Sequence, residues 1–136
     1  MNQIELNAFL NSYQAVRDEL RQLTEQLARL KSRMQLSGSG LNGMPHSSGI
    51  YDRVGDGVAR MDELRMYYLE KSAEADRIHL QIEKLIASLP PDERCLMRDR
   101  HILGLKWESI AERHHYSERH ARRMHRDILC RLADKT

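Results

Sequence analysis

From Leu6 onward the apolar residues Leu6, Phe9, Tyr13, Val16, Leu20, Leu23, Leu27, Leu30 and Met34 recur at alternating steps of 3 and 4. An α-helix turns about 100° per residue, so this spacing lays all of them along one narrow seam. A strand would need period 2, and the pattern excludes it. Uninterrupted heptads of this length specify one helix of roughly 30 residues, about 45 Å long. So narrow a stripe suits packing against one or two helices rather than into a broad globular core. A second seam follows: Met61, Leu64, Tyr68, Lys71, Ala75, Ile78, Ile82, Leu85 and Leu89. Its one polar member, Lys71, either lays its stem along the seam with the ammonium in water or fixes the register of pairing. An isolated helix of this kind is marginal in water. The two therefore need each other or a second chain, and the pattern permits a hairpin within one chain or a bundle between chains.

The residues between the seams, Ser37 to Gly57, include six of the chain's seven glycines, Pro45 and four serines. That composition predicts a flexible connector. A phosphate-binding loop is the sharper alternative, but GxxxxGK[ST] is absent and no strand precedes it.

Charge divides unevenly along the chain. Residues 1–90 carry 11 Lys and Arg against 12 Asp and Glu, net −1; residues 91–136 carry 11 against 8, net +3, with five of the seven histidines. A polyanionic partner is expected for the C-terminal third. The two cysteines, Cys95 and Cys130, lack CxxC spacing, which predicts a reducing cytosol rather than a disulfide framework. Cys130 falls on the arginine side of its helix and is expected to be exposed. No run of 18 apolar residues is present, and MNQIELNAFL has no basic region followed by an apolar one.

Pro90 and Pro91 end the second long helix. Pro91 suits the first turn of a new one, with Asp92 and Glu93 favourable beside its dipole. That helix is expected to reach about Leu103 and to close at Gly104. A short helix over Trp107 to Arg113 turns Trp107, Ile110 and Ala111 inward, and Ser117 can cap the next helix. In that last helix, SERHARRMHRDILCRL, Ala121, Met124, Ile128 and Leu132 share one face. Arg119, Arg122, Arg123 and Arg126 share the other. Four unpaired guanidinium groups are too costly to bury, so the second stripe faces water or an anion. A helix apolar behind and arginine-rich in front has the build of a DNA recognition helix.

The stretch from Leu89 to Leu132 resembles region 4 of sigma-70-type transcription initiation factors. Leu89 and Pro90, Glu93 and Arg94, Leu96 and Met97, Arg100, Gly104, Trp107, Ile110 with Ala111 and Glu112, and Ser117 carry the likeness. Lys106 stands where that family often has Ser or Thr, Arg119 where glycine is common, and Ala121 where valine is usual. The layout also resembles small bacteriophage regulators of the ArpU or RinA type. The resemblance implies promoter binding and control of phage late genes from the bacterial cytoplasm. The chain shows none of the further regions with which a full sigma factor melts a promoter.

The expected fold is all-α. Two long heptad helices (about 4–36 and 57–89), joined by connector 37–56, form a hairpin or coiled coil. Residues 90–136 form a three-helix helix-turn-helix domain. Arg119, Arg122 and Arg123 lie in the first turns, where such a helix reaches base edges. Arg126 meets phosphate. His120, Ser117 and Lys106, with the amides near Trp107, complete the expected DNA-binding set. Trp107 is expected in the core and Arg100 paired with an acid inside the domain. His114, His115, His120, His125 and Cys130 invite a zinc reading, but they share no finger spacing and point different ways. No catalytic arrangement is visible, and no enzyme activity or cofactor is expected. The expected partner is double-stranded DNA, with RNA polymerase a further candidate and self-association, as a dimer, through the heptad helices. Two alternatives are a small-terminase-like packaging protein and a polymerase-binding adaptor.

Overall fold

The computed structural model describes the backbone of residues 1–39 and 48–135 and the side chains of residues 1–36 and 55–135. Helix makes up 89% and no strand is present among the described residues, so the chain is all-α. The elements are α1 (Gln3–Ser39), α2 (Ser48–Ile86), α3 (Pro91–Met97), α4 (Trp107–His114) and α5 (Glu118–Lys135). α3 runs directly into a π-helical turn over Arg98–Ile102.

Both long helices reach into the expected connector, α1 as far as Ser39 and α2 from Ser48, and α2 ends at Ile86 rather than at Leu89. An interior glycine weakens a helix by about 1 kcal/mol but does not end it. At Gly57 the missing side chain has a use, since a Cβ there would stand 3.3 Å from the Met34 side chain. The rest of the connector, 40–47, lies outside the described residues. Leu89 closes a turn after α2 through its N–H to the Ile86 carbonyl (3.0 Å). Pro90 and Pro91 then separate α2 from α3.

The chain forms two compact units, Arg17–Glu74 and Met1–Val16 with Ala75–Thr136. In the first, Leu20, Leu23 and Met61 are buried. Gly57 meets Met34, while Lys71 near the other end of the unit meets Glu19 at 3.2 Å. The seams of α1 and α2 therefore pair antiparallel within one chain. Lys71 also bonds Glu74 (3.2 Å). Hydrogen bonds to the two carboxylates hold its ammonium above the ordinary lysine range. A cation placed between acids from both helices favours one register.

In the second unit the N-terminal turns of α1 pack with the C-terminal helices. Leu6 and Leu10 are completely buried, with Ile82, Ile86, Leu96, Met97, Ile110 and Ile128. The heptad reading placed Phe9 in the core, but Phe9 is half-buried and Leu10 takes that place. A helix packed in a globular unit buries a stripe wider than a two-helix seam, so an extra position turns inward. Tyr13 lies on the His79 ring (centroids 5.4 Å apart). Arg98 makes a bidentate pair with Glu83 (2.8–3.2 Å) that raises the Arg98 pKa and lowers that of Glu83. Arg94 donates to the Leu89 carbonyl (3.1 Å) and Arg131 pairs with Glu93 (2.5 Å). No helix among the described residues is long and apolar enough to cross a membrane.

Candidate nucleic-acid interface

The geometry that presents α5 begins at the π turn. The Leu103 N–H reaches back five residues to the Arg98 carbonyl (2.9 Å), and Gly104 leaves the turn at φ +69°. Gln14 of α1 donates from Nε2 to the freed carbonyls of His101 (3.2 Å) and Ile102 (2.7 Å). Its amide fills the space beside Gly104, where a Cβ would stand 2.7 Å from Gln14 Oε1.

α4 follows with Lys106 at its N-cap, exposed and extended, with no side-chain cap. The helix ends at His115 in the left-handed region (φ 57°, ψ 38°), and the Tyr116 N–H bonds the Ala111 carbonyl (2.9 Å). Ser117 Oγ then accepts the His120 N–H (3.1 Å), capping α5. Small residues, Ala111 and Ala121, lie buried on the two helices and let α4 and α5 approach closely.

The buried face of α5 is Ala121, His125, Ile128, Leu129 and Leu132, with Met124 only half-buried. The expected apolar face had Met124 where His125 now belongs. His125 turns inward because His101, from the π turn, meets it with Nε2 to Nε2 at 2.9 Å. One ring donates and the other accepts, so the pair is neutral. Burial pushes His101 down to about 3, aided by His125 and Arg100, and pushes His125 down to about 4. Nδ1 of His101 is buried without a partner. A missing acceptor bond costs less than a missing donor bond, which favours the tautomer with the His101 proton on Nε2. His125 lies four residues after Ala121 and three before Ile128, the spacing of a buried helix face.

Trp107, expected in the core, is half-buried. Its ring meets His125 edge-on (5.0 Å) and carries the Arg100 guanidinium over its face (4.7 Å). Arg100 was expected to pair with an acid. It donates instead to the Leu105 carbonyl (3.1 Å) and has no carboxylate partner among the described residues. The carboxylate nearest in sequence, Asp99, is already engaged. It is buried and receives His114 Nε2 (2.7 Å) and Arg113 Nε (3.5 Å). Burial, with Arg122 nearby, lowers the Arg100 pKa.

These contacts disperse the residues of the zinc reading. His114 is on Asp99, His125 is on His101, and His115 forms the turn. Cys130 is exposed, as expected, and accepts from Gln3 Nε2 (2.8 Å). His120 packs edge-on against Tyr116 (4.8 Å), which stacks on His114 (5.8 Å).

Arg119, Arg122, Arg123 and Arg126 are all exposed, and none forms an ion pair among the described residues. At about 100° per residue they share an arc of about 100°. Lys106, Ser117 and His120 are exposed as well, Lys106 at the start of α4 and the others at the start of α5. The helix thus offers four guanidinium forks suited to bidentate bonds with phosphate oxygens or a guanine edge. Comparison with known protein families, with curated proteins and with solved structures gave no match.

Proposed function

We propose that the chain is a sequence-specific DNA-binding transcription regulator, with α4, the turn at 115–117 and α5 acting as a helix-turn-helix. One observation carries the reading. Four arginines stand exposed on one face of α5 without a carboxylate partner among the described residues, while another face of the helix is buried. Guanidinium groups meant only for solubility are usually interspersed with acids.

In this reading α5 enters the major groove. Arg119, Arg122 and Arg123 reach base edges from its first turns, and Arg126 meets phosphate. Lys106 and the first amides of α4 meet the backbone on the other side of the turn. Ser117 accepts from the His120 N–H and keeps its own hydroxyl proton for a phosphate oxygen. Tyr116 holds His120 at the same end. Control of phage late genes is the biological setting that the sequence resemblance suggests.

Footprinting on the genome that encodes the chain, followed by titration of the site found, tests the proposal. Each phosphate neutralised adds about 0.9 to the log–log salt slope, so a dimer should show roughly −4 to −7. Arg122→Ala with Arg123→Ala should weaken specific binding by about 30-fold or more, at 1–3 kcal/mol per base-contacting arginine, with helicity unchanged. Promoter affinity retained by that variant would remove α5 from the interface. Capture of RNA polymerase without DNA affinity would support the adaptor instead, and a ring of many subunits the packaging protein.

A further inference from the structure

Away from its seam, α2 carries a second, mainly apolar stripe that nothing among the described residues covers. Wound at about 100° per residue, Met66, Leu69, Ala73 and Leu80 fall within an arc of about 60°, which Asp62 and Lys84 share near the two ends of the stripe. The seam of Met61, Ala75 and Ile82 falls on the opposite side of the same helix. Met66 is 62% exposed, Leu69 61% and Leu80 57%, and Ala73 is exposed too. Single exposed apolar residues are ordinary, but several aligned along one helix mark a contact surface.

We propose that this face pairs with the same face of a second copy of the chain, the two α2 helices running antiparallel. The flanking charges choose both the occupant and the direction. Glu63, Glu70, Arg77 and Lys84 recur every seven residues on one flank, drifting from beside the stripe at Glu63 to its edge at Lys84, all exposed, and none forms an ion pair among the described residues. The row is acidic in its first half and basic in its second. Reversed on itself it is complementary: Glu70 faces the second copy's Arg77, and Glu63 faces the second copy's Lys84, each pair formed twice. The same register sets Leu69 against the second copy's Leu80, and Ala73 against its Asp76. The alanine leaves room for that carboxylate to reach water. Parallel pairing would place Asp62 against Asp62 and Asp76 against Asp76 across the seam, and like charges at such positions oppose association. This inference concerns a surface away from α5 and does not rest on the DNA-binding reading.

Sedimentation equilibrium of the full chain tests it. The chain should weigh twice 15.9 kDa at micromolar concentration and dissociate on dilution. Glu63→Lys with Glu70→Lys makes the row wholly basic, and Arg77→Glu with Lys84→Glu makes it wholly acidic. Each of these variants should be monomeric with unchanged helical circular dichroism, and a 1:1 mixture should recover the dimer mass. Leu69→Lys, which leaves the row intact, should also give a monomer. A monomeric wild-type chain would overturn the proposal. So would a dimer indifferent to all three variants, or charge-reversed variants that fail to rescue each other while keeping their helicity.

Discussion

The buried imidazole pair should make the fold acid-sensitive below pH 6.5. His101 and His125 share one proton across 2.9 Å and are held neutral, their pKa values pushed to about 3 and about 4. The unfolded chain protonates both near 6.5. Below pH 6.5 the unfolded state therefore binds protons that the folded state refuses. Stability is complete above that value and is lost as pH falls towards the folded values. Each ring costs about 1.4 kcal/mol per pH unit inside the window, so the pair should remove about 3 kcal/mol between pH 6.5 and pH 5. That is a large share of the 5–15 kcal/mol typical of a small domain. Urea titrations followed by circular dichroism, at half-unit steps from pH 7 to pH 5, would measure the slope. His101→Phe with His125→Leu removes both rings together, leaves no orphaned nitrogen, and should flatten it. Glu83, held below its ordinary range by Arg98, also loses stability on acidification, but only as pH falls below about 4.5. It does not blur the measurement. Equal losses in the native chain and the double variant would refute the neutral pair.

Two further substitutions test how α4 and α5 are held. Gly104→Ala forces a side chain into the left-handed region and against Gln14. It should cost about 2–3 kcal/mol, and Gln14→Ala in the same chain should cost less than the sum because it clears the collision. Strictly additive losses in a double-mutant cycle would deny the contact. His115→Gly relieves the one non-glycine residue with positive φ among the described residues and should stabilise by about 0.5–1 kcal/mol. A lowered melting temperature would mean that the His115 side chain supplies a contact of its own.

The long helices and their seams were legible because heptad spacing is a local property that survives almost any tertiary context. The caps at Gly104 and Ser117 were legible for the same reason, each resting on the conformational or hydrogen-bonding habit of one residue. Three features were not. Leu10 displaced Phe9 because the first turns of α1 enter a unit with the C-terminal helices, and a heptad count describes a two-helix seam. His125 is buried because the His101 ring meets it, and nothing in the local sequence shows that partner. Arg100 lacks the expected acid because His114 and Arg113 hold Asp99, and which base reaches a carboxylate is set by tertiary packing.

The last two share a cause, and it bears on how α5 is presented. The π turn inserts one extra residue at the end of α3 and shifts the register of everything it carries. His101 thereby meets α5, Asp99 meets His114 of α4, and two carbonyls are left for Gln14 to satisfy. A buried carboxylate and a buried imidazole are costly unless each finds its own partner. An α4 rotated away from Asp99, or an α5 slid by one residue from His101, would leave those groups unpaired. An apolar core alone tolerates such shifts much better, since Leu and Ile repack. The polar contacts therefore fix the angle at which the arginine face is offered, and under the proposed function that angle decides whether α5 can enter a groove.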